Sequence, residues 1–258
     1  MLKPIKLFPF NADKTYLFSN GSTLAEEGKT LDKFIKEEKT SPLSSKYDDR
    51  ELPFIVSATV GSDGRFIDNG SDRFYFVLES DGGKVINGFS TDGANKISSG
   101  CSIDDSSFNS YQVKNGDFLN VDVSTPYSIG KGVSCIEVYS KNSSLSVFDF
   151  EKTSSYANRL KSTPHLKKPA FHSQHEGFSV RVMSATSSFT VAQISVVGEY
   201  SNKISAVNFA YLFILDGACE FKFTDGKLKM KAGDSYLLPS GMGDYSISGP
   251  VEMLYFTK

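Results

Sequence analysis

Few side chains in this sequence are placed to do chemistry, and Glu137 leads them. It lies in the run Cys135-Ile136-Glu137-Val138-Tyr139, and Asp149 follows it twelve residues later. Two carboxylates at one site suit proton transfer, one accepting the proton while the other supplies charge. Lys131, in Ile129-Gly130-Lys131-Gly132, is placed to contact a phosphate or hydroxyl group, although a turn lysine is more often simply solvated. All three histidines fall in one stretch, HLKKPAFHSQH, as His165, His172 and His175, with Gln174 among them. On a helix, the three-residue spacing of His172 and His175 would offer both rings to a metal. Pro169 and the polar surroundings point to a loop and a solvated linker instead. Cys101, Cys135 and Cys219 are odd in number and have no CxxC spacing, which reads as buried or incidental thiols in a reducing compartment. No phosphate-binding glycine loop, dinucleotide fingerprint or nucleophile elbow is found.

The elements that must carry these residues announce themselves by repetition. The run GDFLNVDVSTPYSIGKGVSCIEVY, from Gly116 to Tyr139, recurs in looser form as GDSYLLPSGMGDYSISGPVEMLY, from Gly233 to Tyr255. Each copy opens with Gly-Asp, continues in a short apolar strand, turns at a proline and restarts at Tyr-Ser-Ile. Glycine supplies the positive φ of a tight turn, and aspartate supplies its local hydrogen bond. Alternating apolar residues then mark strands buried on one face. One such unit in each half predicts two small β-barrels.

Composition agrees, with 21 Phe, 12 Tyr and no Trp in 258 residues. The formal charge of −2 leaves no electrostatic footprint for nucleic acid or an anionic membrane. The opening MLKPIKLFPF is too short and too proline-broken for a signal peptide, and no apolar run approaches the roughly 20 residues of a membrane span. The sequons at Asn20, Asn69 and Asn142 then read as chance. A soluble, cytoplasmic protein is expected, able to form a homo-oligomer. One helix is predicted over Glu26 to Glu38, with Leu31, Phe34 and Ile35 on one stripe and Thr30 as a cap. Strands are predicted from Leu52 onwards, and Thr91 to Ser107 is read as a polar connection. The expected organisation is an N-terminal barrel over 1–152, a linker over 153–177 and a C-terminal barrel over 178–258.

Together these segments resemble the type I mannose-6-phosphate isomerases of the cupin superfamily. GKTLDKFIKEE before ELPFIVSATV is similar to that family's early helix and strand, and RFYFVLESDGGKVINGF resembles the strand pair that follows. Both Gly-Asp units resemble its barrels. The resemblance implies an all-β fold of two cupin-like jelly-roll barrels, a bicupin with a short N-terminal helix. It also implies an aldose–ketose isomerisation of mannose 6-phosphate, assisted by zinc on histidine, glutamine and glutamate ligands. Position by position, the chain departs from that pattern. Tyr127 stands where the family's turn has a histidine, and the loop after LPFIVSATV carries neither Gln nor His. A glutamate before the next strand falls at Asp72 or Arg73, and the family's strand arginine falls at Ser146.

Glu137 is the position that matches an acidic residue of the family's site, and it is the catalytic candidate. Tyr127, Lys131 and Tyr139 are the substrate-binding candidates, while Tyr127, Tyr139 and Phe74 also read as barrel lining or core. No metal ligands are assigned. No cofactor is expected, unless the family's activity is retained, which would call for zinc. The leading expectation is an isomerase-like pseudoenzyme that binds a sugar or sugar phosphate with weak or lost activity. The alternatives are an active metal-dependent isomerase with a rearranged metal site, for which Asp72 is the candidate ligand, and a non-catalytic structural or interaction module.

Overall fold

The computed structural model describes residues 2–12, 14–38, 41–44, 50–62, 64, 66–68, 70–149 and 169–258. Four short strands come first: β1 (Ile5–Phe8), β2 (Phe10–Asn11), β3 (Thr15–Phe18) and β4 (Thr23–Leu24), followed by α1 (Leu31–Glu37). Next come β5 (Phe54–Val60), β6 (Phe66–Asp68), β7 (Arg73–Ser80) and β8 (Lys84–Phe89), then α2 (Thr91–Ser98). The middle of the chain continues with β9 (Phe108–Gln112), β10 (Phe118–Val121), β11 (Pro126–Ile129), β12 (Val133–Ser140) and β13 (Leu145–Val147). The C-terminal part holds β14 (Phe171–His175), β15 (Phe178–Ala185), β16 (Thr190–Val196), β17 (Glu199–Ile204) and β18 (Ala210–Phe223). It closes with β19 (Gly226–Lys231), β20 (Ser235–Leu238), β21 (Gly243–Ser248) and β22 (Val251–Thr257). The protein is all-β in class, as expected, with a second short helix that the sequence reading did not anticipate.

The strands form two compact units, residues 56–167 and residues 1–55 with 168–258. In the first, a sheet ordered β10-β7-β12-β5 lies over a second ordered β13-β6-β11-β8-β9. Tyr75, Val77, Val85, Val113, Leu119, Tyr127 and Cys135 meet between them as one buried cluster. In the other unit the order is β14-β15-β16-β22-β18-β20-β1-β4, and β18 continues past a bulge near Ile214 to pair with β19 and β21. Its interior is filled by Ile194, Leu212, Phe221, Met230, Ile247 and Met253. Each large apolar side chain so buried contributes about 1.5–3 kcal/mol.

This division differs from the expected one at both boundaries. Alternation identifies a strand but not its partner, and the N-terminal strand β1 pairs with β20, Ile5 opposite Leu237. Phe18 stacks on Tyr211 at 4.7 Å and Phe54 on Phe209 at 5.7 Å, so the first 55 residues group with the C-terminal barrel. Of the expected linker, 153–168 lie outside the described residues, while Phe171–His175 is strand β14, paired along its length with β15.

Local signals behaved as their chemistry requires. Gly116 and Gly233 have φ of 83° and 85°. In each following turn the aspartate accepts from a backbone N–H three residues earlier, Asp117 from Lys114 at 2.9 Å and Asp234 from Lys231 at 3.1 Å. The Thr30 hydroxyl caps α1 by accepting from the Lys33 N–H at 3.4 Å. The helix therefore starts at Leu31 rather than Glu26, because Thr30 is extended and bridges to Thr23. Helix α2 was hidden by its glycine. A Cβ on Gly93 would sit 1.9 Å from the Ser107 carbonyl oxygen, so the residue that lowers helix propensity is the one that lets the helix pack there.

Candidate ligand site

Antiparallel pairing of β7 with β12 sets Tyr75 opposite Glu137 and Arg73 opposite Tyr139. Side chains alternate along a strand, so these four residues share one face, the face that Tyr75, Val77 and Cys135 turn to the barrel interior. Arg73 and Glu137 are each only 4% exposed. The Glu137 Oε1 accepts from Arg73 Nη1 and from the Tyr75 hydroxyl at 2.8 Å, and its Oε2 accepts from the Ser57 hydroxyl at 3.2 Å. Arg73 Nη2 donates to Ser143 Oγ at 2.7 Å, and its guanidinium carbon lies 4.5 Å from the centre of the Tyr139 ring. Tyr127, on the opposite sheet, brings its ring to 5.6 Å from that of Tyr75.

Charge explains why the group holds together. An isolated ion of either sign inside a barrel would be strongly destabilising, whereas a guanidinium and a carboxylate joined directly, with hydroxyls on the remaining oxygens, compensate each other. Burial pushes the Tyr75 phenol well above its ordinary range, and the negative charge of Glu137 adds to this while Arg73 opposes it. Tyr75 is therefore a neutral donor at any physiological pH. Cys135, on the same face of β12, is pushed up to about 12 by burial and then by Glu137, which makes it an inert thiol.

The structure brings together three of the four site residues expected from sequence, Glu137, Tyr127 and Tyr139. Lys131 is elsewhere. It sits exposed in the turn before β12, with Val133 opposite Ser80, while Glu137 lies about 13 Å further along the strand at 3.3 Å per residue. Tyr127 is buried and Tyr139 half-buried, so both also line the barrel, and Phe74 is core. Asp149 is half-buried just past β13, and Asp72 accepts from the Val123 backbone N–H at 3.3 Å. Sequence reasoning missed Tyr75, Ser57 and Ser143 altogether, and met Arg73 only as one option for an acidic position. The available signal was the alternation Arg73-Phe74-Tyr75 against Glu137-Val138-Tyr139, which becomes a cluster only once the register is known.

His172 and His175 are strand residues, not loop residues. Odd spacing on β14 turns them to opposite faces, with His172 opposite Arg181 and His175 stacked on Phe178 at 4.6 Å, so they do not form a chelating pair. His165 lies outside the described residues.

Two β-barrel units in one chain, each carrying a Gly-Asp turn, give an all-β fold of the cupin type. Residues 179–257 match the family model of the mannose-6-phosphate isomerase cupin domain. The whole chain shares the fold of solved mannose 6-phosphate isomerases. That from Bacillus subtilis superposes with a TM-score of 0.78 at 16% identity, over 98% of this chain and 99% of that one. The apo enzyme from Salmonella typhimurium gives 0.76 at 11% identity over 99% of both chains. The Salmonella enzyme bound to substrate (f6p) and zinc gives 0.76 at 11% identity over 98% of both. A search of curated proteins found no match.

Zinc in such relatives raises the question of whether this site suits it. Among the described residues no three or more His, Cys, Asp or Glu side chains cluster to hold an ion. Around Glu137 the neighbours are a guanidinium, phenols and serine hydroxyls. A divalent cation there would have to displace Arg73 from Glu137 against like-charge repulsion, and would find protonated oxygens as its other donors. The described residues of this cluster do not fit zinc.

Proposed function

We propose that this protein binds a sugar or sugar phosphate in the barrel of residues 56–149, on the mannose-6-phosphate isomerase fold, with isomerase activity weak or lost. The observation that carries the reading is the state of Glu137. A base that moves a proton between adjacent carbons must reach its substrate, yet this carboxylate is buried and already bonded to Arg73, Tyr75 and Ser57. An isomerase also needs an electrophile for the developing enediolate, and the cation present is the one holding the base. Polar side chains converging beside aromatic rings remain suited to recognising hydroxyl and phosphate groups.

A coupled assay interconverting mannose 6-phosphate and fructose 6-phosphate, run with and without added zinc, tests the catalytic half of this reading. The expected turnover is at background in both. A zinc-dependent rate abolished by Glu137→Gln would establish the protein as an active isomerase with a rearranged metal site. Thermal shift with the same two sugar phosphates tests the binding half. A second reading, a structural or interaction module, is favoured by the burial of Tyr75 and Tyr127, which fill the barrel at 2% and 3% exposure. Absence of any shift with either sugar phosphate would select it.

A further inference from the structure

The chain carries its own control for what the buried cluster is for. In both barrels the strand after the Gly-Asp turn pairs with a long central strand, which in turn pairs with the closing strand of the unit. Phe118, first after Gly116-Asp117, is opposite Phe76, and Ser235, first after Gly233-Asp234, is opposite Phe213. Counting from these anchors, Ala210 stands where Arg73 stands and Leu212 where Tyr75 stands. The closing strands agree, with Tyr255 opposite Leu212 and Thr257 opposite Ala210, as Glu137 is opposite Tyr75 and Tyr139 opposite Arg73. Arg73, Tyr75, Glu137 and Tyr139 are thus matched by Ala210, Leu212, Tyr255 and Thr257. Ala210 and Leu212 are fully buried, and Tyr255 packs against the same apolar core. At these four positions the C-terminal barrel carries no charged side chain.

An ion pair inside a barrel is a weak stabiliser, and well-packed apolar residues of similar volume commonly do as well or better. The sister barrel shows such a solution within this architecture, so folding does not account for the pair. The cluster also has a direction. Arg73, Tyr75, Ser57 and Glu137 are buried, whereas Tyr139, whose ring lies against the guanidinium, and Ser143, bonded by Nη2 where Glu137 is bonded by Nη1, are half-buried. Arg73 Nη2 points to Ser143, and a guanidinium presents paired N–H donors in a plane suited to phosphate oxygens.

Resting on the sugar-phosphate reading above, we propose that this cluster is a metal-independent anion-recognition centre. Arg73 is its built-in cation, oriented by Glu137 and the Tyr139 ring. The phosphate of a sugar phosphate enters past Tyr139 and replaces Ser143 Oγ on Nη2. Arg73 here is a ligand-binding residue and Glu137 a positioning residue.

The test uses the full chain, in EDTA and separately with added zinc and no chelator, with thermal shift measured for fructose 6-phosphate, fructose and inorganic phosphate. The variant is R73M/Y75F/E137L, which removes both charges and the phenol hydroxyl that donates to Glu137 while keeping side-chain volume similar. The expected result is a variant melting within about 3 °C of the wild type, or above it. Wild type shifts with fructose 6-phosphate by at least three times the shift with fructose, and the variant shifts with neither. A variant melting roughly 10 °C or more below wild type would make the cluster structural and overturn the proposal. So would a wild-type shift that requires zinc, equal shifts with fructose and its phosphate, or a shift that survives in the variant. In those ligand outcomes sugar binding stands and the role of Arg73 falls. No shift with any compound removes the binding reading itself, and the proposal with it. Inorganic phosphate acting as strongly as the sugar phosphate would reduce the site to a phosphate site and overturn the sugar part.

Discussion

Breaking the Arg73–Glu137 pair from one side should be far more damaging than replacing both partners. In R73M the Glu137 carboxylate stays at the centre of the barrel with Tyr75 and Ser57 as its remaining described donors. In E137L the guanidinium keeps Ser143 and the Tyr139 ring. With both side chains only 4% exposed, each single change leaves a largely desolvated charge without its partner, at a cost of about 3–5 kcal/mol. The double variant leaves neither charge and should fall within about 1 kcal/mol of wild type, because the apolar sister positions Ala210 and Leu212 show that the barrel accepts such residues. The non-additivity in the cycle is therefore expected to reach about 5 kcal/mol or more. Urea unfolding followed by tyrosine fluorescence is the assay, since the chain has 12 Tyr and no Trp. The signal should be fitted for two transitions, because the chain has two units. Single variants costing under about 1 kcal/mol, with additive effects, would mean that the pair is hydrated and the burial argument wrong.

Gly93→Ala forces a Cβ to 1.9 Å from the Ser107 carbonyl oxygen and should cost about 1–3 kcal/mol, read as a lower urea midpoint. Iodoacetamide should label Cys101 alone in the native protein at pH 8, because it is exposed while Cys135 and Cys219 are buried and pushed up to about 12 and about 11; intact-mass measurement counts the adducts, and early labelling of Cys135 would contradict its placement. Asp104 is lowered from 3.8 to about 2, chiefly by its bond from the Ser106 hydroxyl. A depressed carboxylate stabilises above its unfolded value and loses that contribution as pH falls, so Asp104→Asn should destabilise at pH 6, with the difference closing between about pH 4 and pH 2. Melting curves of the two proteins across that range check the sign.

What the sequence made legible was local chemistry. Gly116-Asp117 and Gly233-Asp234 specify their turns by φ and by a three-residue hydrogen bond, and both duly form. Thr30 specifies the start of α1 in the same way. What it concealed was pairing at a distance. Nothing in Ile5-Lys6-Leu7 names Leu237 as a partner, so the N-terminal strands were assigned to the wrong barrel. The site was half-visible for the same reason. Glu137, Tyr127 and Tyr139 stand out by type within one repeat, whereas Arg73 and Tyr75 belong to a strand some sixty residues earlier and acquire meaning only from register. Lys131 shows the converse error, since closeness in sequence to Glu137 became separation along a strand.

Isothermal titration calorimetry of metal-stripped protein with fructose 6-phosphate, repeated with one equivalent of zinc, bears most directly on the central claim. The account predicts one site per chain whose affinity is unchanged by zinc and lost in R73M/Y75F/E137L. Binding that appears only with zinc and disappears in Glu137→Gln would contradict it, and would return the barrel to metal-dependent chemistry.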